Sequence, residues 1–160
     1  MHTNLAKSLS TAALVVIGLV TLNAAAAGDA PETFQVVDGV AIYLGVMPAQ
    51  LVQGHAREHE ESRMHGGVPA GQYRDHVVLA LFDDASGRRI EGAQVTAAVM
   101  ELGLGPERKM LEPMRINDSV TYGNYFDFPD NGIYHIQVQI RLSGHPQPVE
   151  ATFTHRHYAR

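Results

Sequence analysis

The sequence predicts an all-β domain, an antiparallel β-sandwich, carried behind an N-terminal export segment. Three observations predict the sandwich. Beyond residue 33 the apolar residues fall in short runs of strand length. Gly, Pro, Asn and Asp punctuate these runs, as turns between strands require. The clearest run, 133–142, alternates strictly: Tyr134, Ile136, Val138, Ile140 and Leu142 share one face, and His135, Gln137, Gln139 and Arg141 the other. That period of two describes a strand with one buried and one solvated face.

The export segment comes first. Residues 1–27 carry a single Lys7, an apolar stretch over 11–22, and then Asn23 to Ala27, which offer small residues at the −3 and −1 positions of a signal peptidase site. The apolar stretch is shorter than the roughly 20 residues of a membrane-spanning helix. Cleavage is expected near Ala26 or Ala27, giving a periplasmic protein with no membrane span. The absence of Cys excludes lipoprotein processing. The segment 28–160 then has the length of one domain. It holds eleven basic and seventeen acidic residues without a basic cluster. This balance argues against nucleic acid and anionic membrane surfaces as partners. With no Cys in an oxidising compartment, the fold must rest on its core, and a soft-metal site must use His nitrogen and Met sulfur.

In chain order, strands are expected over 34–38, 40–46, 75–82, 94–102, 120–128, 133–142 and 149–154. After 75–82 comes the turn Asp83-Asp84-Ala85-Ser86-Gly87, and then Ile90 and Ala93, spaced to pack on the core before the next strand. Ahead of 133–142 stands Asp130-Asn131-Gly132-Ile133-Tyr134. This D-x-G-x-Y spacing matches the tyrosine corner of immunoglobulin-like sandwiches. The other reading is an Asn-Gly hairpin, with positive φ at the turn and a core Tyr. Both readings give a sandwich, and the fold class expected is immunoglobulin-like.

Residues 48–74 form a polar, Gly- and Pro-containing stretch too long for a routine connection, and long loops in compact domains are commonly functional. It concentrates donors: His55, Glu58, His59, Glu60, Glu61, Met64 and His65, with His76 opening the next strand. His55 and His59 would share one face of a helical turn. Imidazole suits copper, zinc, iron and nickel, and thioether adds a bias towards Cu(I). The spacing is not that of an H-E-x-x-H metalloprotease, and a solvated loop is the bland alternative. Met110 and Met114 bracket Pro113, which implies an extended or turning segment. Met110 reads as core filler, and Met114 is balanced between filler and ligand. Met47 and Met100 read as core or core rim, Met47 being better placed to line a site. His155 and His157 continue the phase of Phe153, but a frayed terminus is the favoured expectation there. No G-x-S-x-G, P-loop or dinucleotide fingerprint occurs, so no enzyme is indicated.

Three stretches carry a family resemblance: Val40 to Pro48 (VAIYLGVMP), His76 to Asp83 (HVVLALFD), and Leu111-Glu112-Pro113-Met114 followed by Thr121-Tyr122-Gly123-Asn124-Tyr125. Together they resemble the periplasmic immunoglobulin-fold iron-transport proteins, dimeric sandwiches that hold copper or iron through Met, His and acidic side chains. The resemblance implies direct ligand roles for His76 and Met114, a homodimer, and a membrane transporter as partner. This family places a His directly before Tyr-Gly, where the present chain has Thr121. One imidazole is lost there unless His59 or His65 replaces it. The stretch from Ala93 to Tyr134 also resembles the small YtkA/FixH-like domains associated with copper handling in respiratory assembly, which implies an assembly partner instead.

The expectation is therefore a non-catalytic periplasmic protein that binds a copper or iron ion for uptake or delivery, through His55, His59, Met64, His65, His76 and Met114. The alternative is an immunoglobulin-like envelope adaptor that binds protein and no metal.

Overall fold

The structure is a computed structural model that describes residues 32–53, 71, 73–101, 103–116 and 118–158. Eight strands and one short helix follow in order: β1 (Phe34–Val37), β2 (Val40–Pro48), α1 (Ala49–Gln53), β3 (Arg74–Asp83), β4 (Gln94–Glu101), β5 (Glu107–Ile116), β6 (Ser119–Asp127), β7 (Gly132–Arg141) and β8 (Val149–His157). Every pairing is antiparallel. The spatial order is β1-β2-β3-β6-β5-β4-β7-β8.

That order contains the two sheets of an immunoglobulin constant-type sandwich. Strands β2, β3, β6 and β5 take the places A, B, E and D, and β4, β7 and β8 take C, F and G. β1 adds one strand to the edge of the first sheet. The sequence has neither the Cys pair nor the Trp that mark antibody domains. The two inner faces instead close on Leu79, Leu81, Tyr122, Phe126, Phe128, Ile136, Ile140 and Phe153, all fully buried. Each large apolar side chain removed from water contributes about 1.5–3 kcal/mol. Across the free edges, the Gln35 side-chain amide donates to the Thr152 carbonyl at 2.7 Å and ties β1 to β8.

The tyrosine corner is present. Tyr134, at the start of β7, accepts from the Asp130 N–H and donates to the Asp130 carbonyl, both at 3.3 Å. Neither Asn131 nor Gly132 has positive φ, and β6 and β7 belong to different sheets, so this turn is a crossover and not a hairpin. Ile90 and Ala93 pack on the core as their spacing predicts.

β5 was not among the expected strands. Pro113 allows an extended or a turning segment; the segment is extended, and the strand changes partner beside the proline. Residues 107–111 pair with β4, and 112–116 pair with β6. Among the described residues Pro113 thus has a ladder on one side only, the setting in which a strand tolerates a missing N–H. In the first half, side chains bridge to β6 instead: Asn124 donates to the Met110 carbonyl, and Lys109 to the Tyr125 carbonyl. Met110 is exposed and is not core filler.

A second tyrosine holds the entry to β4. The Tyr122 hydroxyl accepts from the N–H groups of Gly92 and Ala93 at 2.9 and 3.0 Å and faces the Ile90 carbonyl at 3.4 Å. Tyr122→Phe keeps the ring and removes this anchor, so urea denaturation should show a loss of about 1–2 kcal/mol.

Candidate metal centre

Strand alternation decides where His76 points. Val77, Leu79 and Leu81 fill the core, so His76, Val78 and Ala80 lie on the opposite, outer face of β3. Directly paired residues share a face. The outer face therefore also carries Tyr125, opposite His76, and Gly123, opposite Val78. In β5 it carries Glu112, opposite Gly123, and Met114, opposite Thr121. Polar or soft side chains on an outer face are ordinarily solvated. Here His76 is 3% exposed, Met114 1% and Tyr125 2%.

The two buried donors meet over Gly123. A Cβ at that position would lie 2.7 Å from His76 Nε2, 3.2 Å from Met114 Sδ and 2.6 Å from Met114 Cε. The missing Cβ is the space these side chains occupy. The His76 ring stacks on the Tyr125 ring, with centroids 4.6 Å apart at 24°. This fixes the imidazole plane and leaves Nε2 turned towards the thioether. Thr121 Oγ1 is buried nearby in register with Met114 and has no hydrogen-bond partner among the described residues.

Imidazole nitrogen and thioether sulfur together suit copper, and the sulfur rules out a preference for hard ions such as calcium or magnesium. Ligation through Nε2 requires the tautomer protonated on Nδ1. Among the described residues no three His, Cys, Asp or Glu side chains converge, so a centre built from them needs thioether sulfur as a donor.

Of the six residues expected to bind metal, the structure brings His76 and Met114 together. His55, His59, Met64 and His65 lie outside the described residues, as does the expected helical turn at 55–59 and the export segment 1–27. Met47 pairs with His76 across β2 and β3 but is 38% exposed, and it lies on the side of His76 away from Gly123.

No protein-family model and no curated protein sequence matches the chain. Solved structures do. A copper-bound variant of FetP from uropathogenic Escherichia coli superposes with a TM-score of 0.59 at 12% identity, over 81% of this chain and 97% of that one. A copper-bound variant of Campylobacter jejuni P19 gives 0.59 at 12%, over 79% and 95%. A DUF4426 family protein from Pseudomonas aeruginosa gives 0.57 at 12%, over 81% and 99%. The chain shares their fold. At this identity the likeness concerns the fold alone.

Two further features escaped the sequence. Glu112 stands two residues before Met114 on the same face, and the alternation would have revealed it had β5 been recognised. The second feature is at the end of the sandwich. β8 continues to His157 and is not frayed at its histidines. His157 is buried, with Nδ1 3.4 Å from Asp75 Oδ2 and its ring stacked on Phe128. Asp75 and His76 are adjacent, so one strand end sends a carboxylate inward and an imidazole outward.

Two predictions follow from this geometry. Gly123→Ala drives a methyl group into His76 and Met114, which are both enclosed. It should cost about 1–3 kcal/mol in denaturant titration, with the shift of the His76 ring visible by NMR. Beside His157, burial foremost and then the neighbouring imidazole hold His155 below its usual value of 6.5. The fold favours neutral His155, so this contribution is complete above the unfolded value and is lost as pH falls through the lower folded one. His155→Asn should therefore lose less stability than the parent between about pH 7.5 and pH 5, measured by urea midpoints.

Proposed function

We propose that this is a periplasmic metal-binding protein, for copper or iron, that acts in uptake or delivery without catalysing a reaction. One observation carries the reading: an imidazole Nε2 and a thioether Sδ, both buried on the outer face of a sheet, lie within 3.2 Å of a single point above Gly123. A soft metal ion is a partner that both groups would share. The copper-bound state of FetP and P19, which have this fold, supports the same chemistry. The sequence features of residues 1–27 support export, and the donors of the 48–74 stretch supply further ligands to the proposed set of His55, His59, Met64, His65, His76 and Met114.

In this reading His76 supplies nitrogen, Met114 supplies sulfur, and Tyr125 orients the imidazole. The bound ion would supply only its own charge and redox state, and the protein would hold and release it. A homodimer and a membrane transporter or respiratory assembly partner belong to the same proposal.

A second reading, the envelope adaptor, is favoured by one observation. Phe34 and Tyr43 are about half exposed on the outer face of β1 and β2. With Ala41, Phe82, Asp83 and Asp84 they line a groove of about 470 Å³. The two readings separate in one measurement. Titration of the purified protein with Cu(I), Cu(II) and Fe(II) by calorimetry under oxygen control should show binding at least as tight as about 1 μM for one ion. The double variant His76→Gln, Met114→Leu should weaken it by about 100-fold or more. No binding tighter than millimolar would leave the adaptor standing.

A further inference from the structure

Glu112 occupies the one position of β5 that faces Gly123 directly. Opposed residues on one face of an antiparallel pair have Cβ atoms about 4.5–5.5 Å apart. The point where a Gly123 Cβ would stand is the point around which His76 Nε2 and Met114 Sδ gather. Glu112 therefore stands one cross-strand spacing from the point around which both donors gather, on the same face. It precedes Met114 by two residues, so the two side chains lie side by side along β5. The donors differ in depth: His76 and Met114 are buried, whereas Glu112 is exposed.

We infer that Glu112 is a third ligand of the centre, an oxygen donor at its mouth, and that it determines which oxidation state of copper the centre prefers. This inference rests on the proposed metal-binding reading and deepens it. An imidazole and a thioether alone form a neutral donor pair suited to Cu(I). A carboxylate adds a hard anionic oxygen, which favours Cu(II) and iron over Cu(I). Its anionic charge also offsets one unit of the ion's charge in a site that is otherwise neutral. The exposed rim position suits capture of an ion from water before it reaches the buried pair. β5 thus carries both halves of the preference: Met114 pulls towards Cu(I), and Glu112 towards Cu(II).

The test compares Glu112→Gln, Met114→Leu and the control Glu150→Gln, a surface carboxylate of β8 hydrogen-bonded to Gln139. Each purified protein is titrated against chromophoric chelators of Cu(II) in air and of Cu(I) under reducing, oxygen-free conditions. The Cu(II) forms are also examined by electron paramagnetic resonance. Glu112→Gln should weaken Cu(II) binding by about tenfold or more while changing Cu(I) binding by no more than about threefold. Met114→Leu should show the opposite bias, and the control should match the parent. Loss of an oxygen ligand should also change the copper hyperfine splitting in Glu112→Gln, and the control Glu150→Gln should keep the parent's splitting. If the parent binds copper and Glu112→Gln binds both states as the parent does, the role of Glu112 is overturned and the metal-binding reading stands. If Glu112→Gln weakens both states equally, or the control loses as much, the selectivity is overturned. A parent that binds neither state overturns both.

Discussion

A single strand, β5, belongs to both sheets, and the arrangement of the molecule depends on this. Its first half completes the ladder of β4 and its second half that of β6. Leu111, at the change of partner, closes the core, whereas Glu112 and Met114 just beyond it share the face of Gly123. If β5 stayed paired with β4 along its whole length, the thioether would have no route to the imidazole of β3. The change of partner also explains how a proline sits inside a strand. Pro113 lies where the ladder is one-sided, and Asn124 and Lys109 replace the backbone bonds that β5 and β6 do not make in the other half.

The second constraint is the absence of one carbon atom. A glycine in a strand interior weakens the strand and often marks a close approach. Gly123 is such a place, because two side chains from two other strands fill the volume its Cβ would need. Backbone pairing continues through it on both sides. The sheet thereby forms a flat floor for a pair of donors without a loop or a helix end. Tyr125, two residues on, supplies the wall that keeps the imidazole plane fixed.

Much of the fold was legible in the sequence because it is written as alternation. Strand β7 displays it without interruption, and Tyr134 with Asp130 marks the corner that leads into it. Strand β5 was not distinguished from a turning segment, because Pro113 allows either, and the register of Glu112 opposite Gly123 depends on that strand. The family resemblance of their neighbourhoods singled out His76 and Met114, while their meeting over Gly123 depends on pairings between distant segments that no local pattern encodes. His157 was misjudged because chain ends usually fray, yet here a ring on Phe128 and a carboxylate from β3 hold it in place.

The link from Gln35 to Thr152 has a consequence for the protein outside its own fold. A sandwich with open edges offers rows of carbonyl and N–H groups on which a strand from another molecule can add. β1 and β8 are those edges, and the amide of Gln35 occupies a β8 acceptor from within the molecule. The clasp turns these two edge strands towards each other and withholds one β8 carbonyl from a strand of another molecule.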